Sequence, residues 1–291
     1  MNSLTQETLI SRASIIAEAL PYISRYAGKT IVVKYGGNAM NDDNVLRTIL
    51  QDIATLKMLG VHPVLVHGGG PEINANLAKL GIASEFKNGL RVTSKEAMDV
   101  VQMTLAGRVN KNIVGLLGTF GVKAVGLCGK DASLIEAEKM EITDGVDYGY
   151  AGRIVGVHTA LLNTLRRDYV PVIASVGVGK DGEGYNINAD LAAGAIGGAL
   201  GAEKLVFLTD VDGIRADEKD PSTLISQVSV SEIEAMIKTG KISGGMLPKV
   251  GACVDAINKG IGSVLIINGT IPHSILLELF TQKGVGTMVT A

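Results

Sequence analysis

The sequence has no tryptophan, and aromatic residues make up only 4% of it. A surface that binds single-stranded nucleic acid by stacking needs such rings in number, which disfavours that class of partner. Positive charge is not concentrated either. The 27 lysines and arginines are scattered among 29 acidic residues, and the net charge is −2, so a duplex finds no electrostatic footprint. The two cysteines, Cys128 and Cys253, lie far apart without C-x-x-C spacing, which supports neither a disulfide framework nor a zinc site and fits two reduced thiols. The four histidines, His62, His67, His158 and His273, have no metal-ligand spacing, so no protein-held metal is expected. No apolar run reaches the roughly 18 residues of a spanning helix, and Glu7, Arg12, Glu18 and Arg25 interrupt any secretion-type apolar segment. The expectation is a cytoplasmic protein acting on small molecules, with no nucleic-acid or membrane partner.

What the chain does have is glycine after short β-branched runs. Thr30-Ile31-Val32-Val33 leads into Lys34-Tyr35-Gly36-Gly37, and Val61 to Val66 leads into His67-Gly68-Gly69-Gly70-Pro71. Glycine lets backbone N–H groups approach an anion, and a following helix N-terminus adds partial positive charge. No Walker A pattern occurs, so a phosphate site here is built another way. Two lysines stand in glycine-rich settings, Lys34 and Lys249, the latter following Gly244-Gly245-Met246-Leu247-Pro248. Phosphoryl transfer depends on positioning and positive charge, which such lysines supply.

Along the chain, Leu9, Ala13, Ile16, Leu20 and Ile23 predict an amphipathic helix over residues 4–26 that Pro21 kinks or breaks. Its stripe suits docking on its own domain or on another subunit equally. Strands are expected at 30–34, 61–66, 122–127, 170–175, 204–208, 263–267 and the C-terminus, with extended pairs near 85–92 and 148–157. Helices are expected near 43–59, 71–80, 95–107, 159–167, 190–200, 231–238, 247–259 and 273–280. This alternation predicts an α/β fold, with a mainly parallel central sheet and helices on both faces. No linker separates the halves. The expected division is an N-terminal helix at 1–28 and two tightly joined lobes, 29–180 and 181–291. Two motifs lead elsewhere: Gly177-Val178-Gly179-Lys180-Asp181-Gly182 reads as a hairpin turn, since no apolar helix follows it. An esterase reading of the His67 loop fails for want of a G-x-S-x-G elbow.

Six segments together carry a resemblance that spans essentially the whole chain. They are Val33-Lys34-Tyr35-Gly36-Gly37, Val66-His67-Gly68-Gly69-Gly70, Asn88-Gly89-Leu90-Arg91-Val92-Thr93, Asn186-Ile187-Asn188-Ala189-Asp190, Leu208-Thr209-Asp210-Val211-Asp212-Gly213 and Gly244 to Lys249. The sequence resembles the amino-acid kinase family and, through its third and fourth segments, the acetylglutamate kinases within it. The N-terminal helix ending Ala19-Leu20-Pro21-Tyr22-Ile23 and the stretch from Ile267 to Glu278, followed by Gly284 to Thr287, are similar to the arginine-sensitive branch. The resemblance implies ATP-dependent phosphorylation of the side-chain carboxylate of N-acetyl-L-glutamate, in arginine biosynthesis, with Mg²⁺ accompanying ATP. It assigns Lys34 and Lys249 to the transferring phosphoryl group, with Asp190 orienting both, and the N–H groups of Gly37 and Gly69 to phosphoryl oxygens. Arg91, Asn186, Gly69 and Gly70 would bind the acceptor, and the second lobe, with Asp210 and Gly213, the nucleotide. It further implies inhibition by arginine at Tyr22, Lys204, His273, Glu278 and Gly286. Assembly would be a hexamer built as a trimer of dimers, and docking of a PII-type regulator is left open. Two alternatives stay open: a related kinase acting on glutamate, aspartate, carbamate or a nucleoside monophosphate, and a non-catalytic arginine-binding regulator.

Overall fold

The computed structural model describes residues 5–37, 42–142, 145–217 and 220–291; residues 1–4 of the expected N-terminal segment lie outside these. Helix α1 (Gln6–Tyr26) begins where the Thr5 hydroxyl accepts the Thr8 N–H, and it runs on past Pro21 without ending there. A proline removes one helical hydrogen bond; the residue whose carbonyl is concerned, Ala17, lies on an exposed stretch open to solvent. The helix does not dock along its own domain. Leu9, Ile16 and Leu20 are more than half exposed, and Tyr26 at its end is the residue that enters the core.

The first half continues through β1 (Thr30–Tyr35), α2 (Asp43–Met58), β2 (His62–His67), α3 (Gly70–Lys79), β3 (Glu85–Lys87), β4 (Leu90–Val92) and α4 (Lys95–Gln102). A π-helical stretch, Met103–Val109, joins α4 to α5 (Asn110–Thr119), and β5 (Ala124–Cys128), β6 (Ile135–Lys139), β7 (Gly152–Val157), α6 (Ala160–Leu165) and β8 (Val170–Ala174) follow. The second half holds β9 (Val176–Val178), β10 (Gly184–Asn186), α7 (Ala189–Ala199), β11 (Lys204–Thr209), β12 (Gln227–Ser229) and α8 (Val230–Lys238). It ends with α9 (Met246–Asn258), β13 (Ser263–Asn268), α10 (Ser274–Phe280) and β14 (Thr287–Thr290).

Eight strands form one sheet in the order β12-β14-β13-β11-β1-β2-β8-β5. Its pairs are parallel apart from β13 with β14. The pleat sends alternate residues to opposite faces. Val32, Val64, Val66, Leu205 and Phe207 pack with Ala192, Ile196, Val250 and Ala256 of α7 and α9. Ile31, Val33, Leu65, Val206 and Leu208 pack with Ile49 and Ile53 of α2, Ile113 and Leu117 of α5, and Ile275 of α10. Helices therefore cover both faces, as the alternation predicted. Each buried Val, Leu, Ile or Phe side chain among these contributes about 1.5–3 kcal/mol. The sheet is continuous across residue 180, because β1 pairs with β2 on one side and β11 on the other.

Three expectations are corrected. The helix expected to end near 107 continues as a π-helical stretch and α5 to Thr119, carried past its glycines by the buried series Val109, Ile113 and Leu117. The partner of β7 is not within 148–157 but is β6, antiparallel to it. The short strand β12 adds an edge that the pattern did not announce. The 177–182 turn is a hairpin, with β9 antiparallel to β10.

Candidate active site

Parallel strands place their carboxyl ends on one edge of the sheet, where α/β proteins bind ligands. The two glycine turns emerge there side by side, from neighbouring strands β1 and β2, and the Gly68 N–H donates to the Tyr35 carbonyl at 3.1 Å. Gly37 has φ +71°, a conformation that favours glycine. Gly69 is glycine for space, since a Cβ there would lie 2.6 Å from Cδ2 of the buried Leu105. Neither the Gly69 nor the Gly70 N–H has a protein partner among the described residues.

Lys34 extends from the end of β1 and reaches Asp190 in the first turn of α7, with Nζ to Oδ1 at 2.9 Å. Asp190 does not cap that helix. Asn188 does, its side chain accepting the N–H groups of Asp190 and Leu191, which leaves the Asp190 carboxylate for the lysine. Lys249, in the first turn of α9, pairs instead with Asp210 at 3.2 Å. The expectation that Asp190 orients both ammonium groups is corrected to that extent: the turn after β11 supplies the second carboxylate.

Two cavities meet at this pair. One, of about 230 Å³, is bounded by Gly69, Gly70, Arg91 and Asn186; the other, of about 310 Å³, by Thr209, Asp210 and Lys249. Lys34, Gly36, Gly37 and Asp190 line both. Gly213 stands apart, in a cleft of about 80 Å³ with Arg215 and Met246, and a Cβ there would lie 2.4 Å from Thr287 Oγ1.

Arg91 is 6% exposed. Its guanidinium donates to the Ser84 hydroxyl and lies 4.5 Å from the centre of the Phe86 ring, and burial lowers its pKa from the ordinary arginine value. Sequence reasoning missed Thr93. This buried hydroxyl donates to the Arg91 carbonyl at 3.0 Å and accepts the Asn186 amide at 3.1 Å, tying Asn186 to the Arg91 strand. Its place in the Asn-Gly-Leu-Arg-Val-Thr segment was the available signal.

His67 is fully buried. Its Nδ1 lies 2.8 Å from the Gly68 carbonyl oxygen and its Nε2 3.1 Å from Asn110 Nδ2. Desolvation, partly offset by the Gly68 bond, lowers its pKa to about 4. The unfolded chain then binds a proton between pH 6.5 and 4 that the folded chain refuses, so this contribution to stability is complete above pH 6.5 and is lost as pH falls towards 4. A loss on the order of 3 kcal/mol is expected over that range. Urea unfolding at pH 7 and pH 4.5 checks it, because a His67→Asn variant should lack this part of the pH dependence; identical losses in both proteins would exclude His67 as its source.

All but one of the remaining candidates form a second cluster at the other end of β11. Tyr22, Lys204, Glu278 and Gly284 line a cavity of about 270 Å³. Lys204 donates to Ser263 Oγ at 2.8 Å, and desolvation, with Arg25 next, lowers its pKa. Glu278 accepts the N–H groups of Val285 and Gly286. His273 is not part of this wall; it precedes α10 and bonds the buried Asp52 of α2 at 2.6 Å.

Residues 29–268 match the amino acid kinase family. The chain belongs to that family. The likeness to curated relatives runs nearly the whole length: the chain is 52% identical to the acetylglutamate kinase of Heliobacterium modesticaldum over 96% of this chain and 98% of that one. It is also 52% identical to the acetylglutamate kinase of Caldicellulosiruptor saccharolyticus, over 97% and 98%. Among solved structures it is similar to N-acetylglutamate synthase from Neisseria gonorrhoeae complexed with coenzyme A and N-acetyl-glutamate, with TM-score 0.85 and 29% identity. The match covers 96% of this chain and 63% of that longer one. The same synthase complexed with coenzyme A and L-arginine matches at 0.78 and 27%, covering 96% and 65%. Carbamate kinase from Giardia lamblia, at 21% identity and TM-score 0.63 over 91% of this chain and 99% of that one, shares the fold.

Proposed function

We propose that this kinase transfers the γ-phosphoryl group of ATP to the side-chain carboxylate of N-acetyl-L-glutamate, in arginine biosynthesis. The observation that carries the reading is that the two cavities share Lys34 and Asp190 as a common wall. The acceptor occupies the cavity of Arg91 and Asn186, with the guanidinium fork on its α-carboxylate and Gly69 and Gly70 beside the rest. ATP enters from the second lobe, residues 181–291, past Asp210 and the turn that holds Gly213. A carboxylate of reference pKa about 4 is ionised at neutral pH, so it attacks phosphorus without a general base. The bond from γ-phosphorus to the bridging oxygen breaks and ADP leaves. Lys34 and Lys249 offset the charge on the transferring group, and the N–H groups of Gly37 and Gly69 hold its oxygens. Asp190 and Asp210 are engaged with these lysines, which fits Mg²⁺ held by phosphate oxygens and water.

Arginine inhibition belongs to the same reading. Lys204 and Glu278 offer an ammonium and a carboxylate in one cavity with Tyr22, complementary to a zwitterionic amino acid with a cationic side chain. The arginine complex of the gonococcal synthase supports it. The exposed Leu9, Ile16 and Leu20 favour α1 packing on another subunit, in a hexamer built as a trimer of dimers. No helix among the described residues is long and apolar enough to cross a membrane, and a cytoplasmic location is proposed with the pathway.

The test is acyl-phosphate formation trapped with hydroxylamine, with ADP release measured in parallel. N-acetylglutamate is compared with glutamate, aspartate and UMP. Turnover confined to N-acetylglutamate is expected; turnover with another acceptor reassigns the substrate, and none with any acceptor favours a non-catalytic arginine-binding protein.

A further inference from the structure

Asn110 opens α5 directly after the π-helical stretch, is fully buried, and reaches across three strands. Its Nδ2 donates to the Val172 carbonyl of β8 at 2.9 Å, lies 3.4 Å from the Leu127 carbonyl of β5, and meets His67 Nε2 at the end of β2 at 3.1 Å. Its Oδ1 accepts from Lys111 Nζ at 3.1 Å, and that ammonium also bonds the Gly126 carbonyl. Strand β5 makes room for this arrangement, because a Cβ on Gly126 would lie 1.9 Å from Asn110 Oδ1 and 2.6 Å from Lys111 Nζ.

The orientation of the amide is therefore forced. Two strand carbonyls and His67 face one end and an ammonium the other, so the NH₂ group points at the strands. An N–H donor then faces His67 Nε2, which must be the bare nitrogen, and the ring proton sits on Nδ1, 2.8 Å from the Gly68 carbonyl oxygen. That carbonyl belongs to the same peptide unit as the Gly69 N–H. In a trans peptide the two point in opposite directions, so holding the Gly68 oxygen against the ring turns the Gly69 N–H away from it. Gly69 lines the acceptor cavity.

We propose that His67 and Asn110 are positioning residues that aim the Gly69 N–H at the transferring phosphoryl group, with Asn110 dictating the His67 tautomer. This rests on the reading of Gly69 as a phosphoryl donor. Lys111 is the charged group that faces the pair, and it does so through Asn110; β5 and β8 present carbonyls to it. Burial keeps His67 neutral near pH 7, and its contacts with the Gly68 carbonyl and the Asn110 amide leave it a single tautomer.

Two measurements test the proposal on the full chain. Long-range ¹H–¹⁵N spectra of the wild type, with only four histidines to assign, should show His67 protonated at Nδ1 and bare at Nε2 from pH 5.5 to 9. In Asn110→Asp the proton should appear at Nε2. An Nε2-protonated or fully protonated His67 in the wild type at pH 7 overturns the proposal, whatever the catalytic activity. In turnover, His67→Asn carries an amide nitrogen where Nδ1 was, whereas His67→Gln places one near Nε2. His67→Asn should keep kcat within about threefold; His67→Gln should lose at least about tenfold, towards the hundredfold cost of a missing oxyanion donor, with both KM values nearly unchanged. A purely space-filling histidine would favour the larger glutamine, so equal kcat values or the reverse order also overturn it. Failure of the wild type to phosphorylate N-acetylglutamate would instead defeat the functional reading and leave the tautomer result standing.

Discussion

Lys34→Ala is expected to lower kcat by about a hundredfold or more, with KM for ATP and for N-acetylglutamate little changed. The ammonium sits at the end of a buried strand, its side chain only 13% exposed, and Asp190 holds it at 2.9 Å. It also folds back over its own turn: a Cβ on Gly36 would lie 3.1 Å from Nζ. A charge so fixed acts on negative charge that builds up during transfer, and such interactions are worth more in a dry site than in water. A hundredfold loss corresponds to about 2.7 kcal/mol of transition-state stabilisation. Truncation also leaves the Asp190 carboxylate unpaired and facing the phosphates, so the double variant Lys34→Ala/Asp190→Ala should recover part of the loss. Steady-state kinetics by hydroxylamine trapping decide it. A Lys34→Ala enzyme turning over within threefold of the wild type would remove Lys34 from the chemistry.

Arg91→Ala should act on binding. We expect KM for N-acetylglutamate to rise by about 10- to 100-fold, the loss of roughly 1.4–2.7 kcal/mol that a charge-assisted bidentate contact provides. KM for ATP and kcat should stay within a few fold, the signature of an interaction made equally in the ground and transition states. Lysine should not rescue the variant, since it has neither the fork nor the planar group that lies on Phe86. If Arg91→Ala leaves both KM values unchanged, the guanidinium serves only Ser84 and Phe86, and the acceptor is held elsewhere.

The strands and turns that build the site were legible because their cause is local: β-branched runs followed by glycine can be read without knowing what lies beside them. The Lys34–Asp190 pair was legible only through the family resemblance, since its distance depends on α7 packing beside β1. The partner of Lys249 was misread for the same reason. Asp190 and Asp210 both approach the lysines, and only the course of the turn after β11 assigns one to each. Asn110 was invisible. It lies past the point near 107 where its helix was expected to end, and nothing in the residues around it announces that three strands will converge on its amide. The β6–β7 pairing was hidden by the long connection between the strands, which put the true partner outside the stretch where alternation was sought.

The continuous sheet has a consequence for how the chain can be divided. A cut near residue 180 breaks no hydrogen bond between β1 and β11, yet it leaves β1, β2, β5 and β8 on one fragment and β11 to β14 on the other. Each fragment would carry a bare strand edge, along Ile31, Val32 and Val33 on one and Leu205 and Val206 on the other, none of them exposed in the intact chain. Such edges seek a partner strand. The two pieces would thus be matched halves of a complementation pair, and the two lysines of the site would come back together only when the seam closes, since Lys34 belongs to one piece and Lys249 to the other.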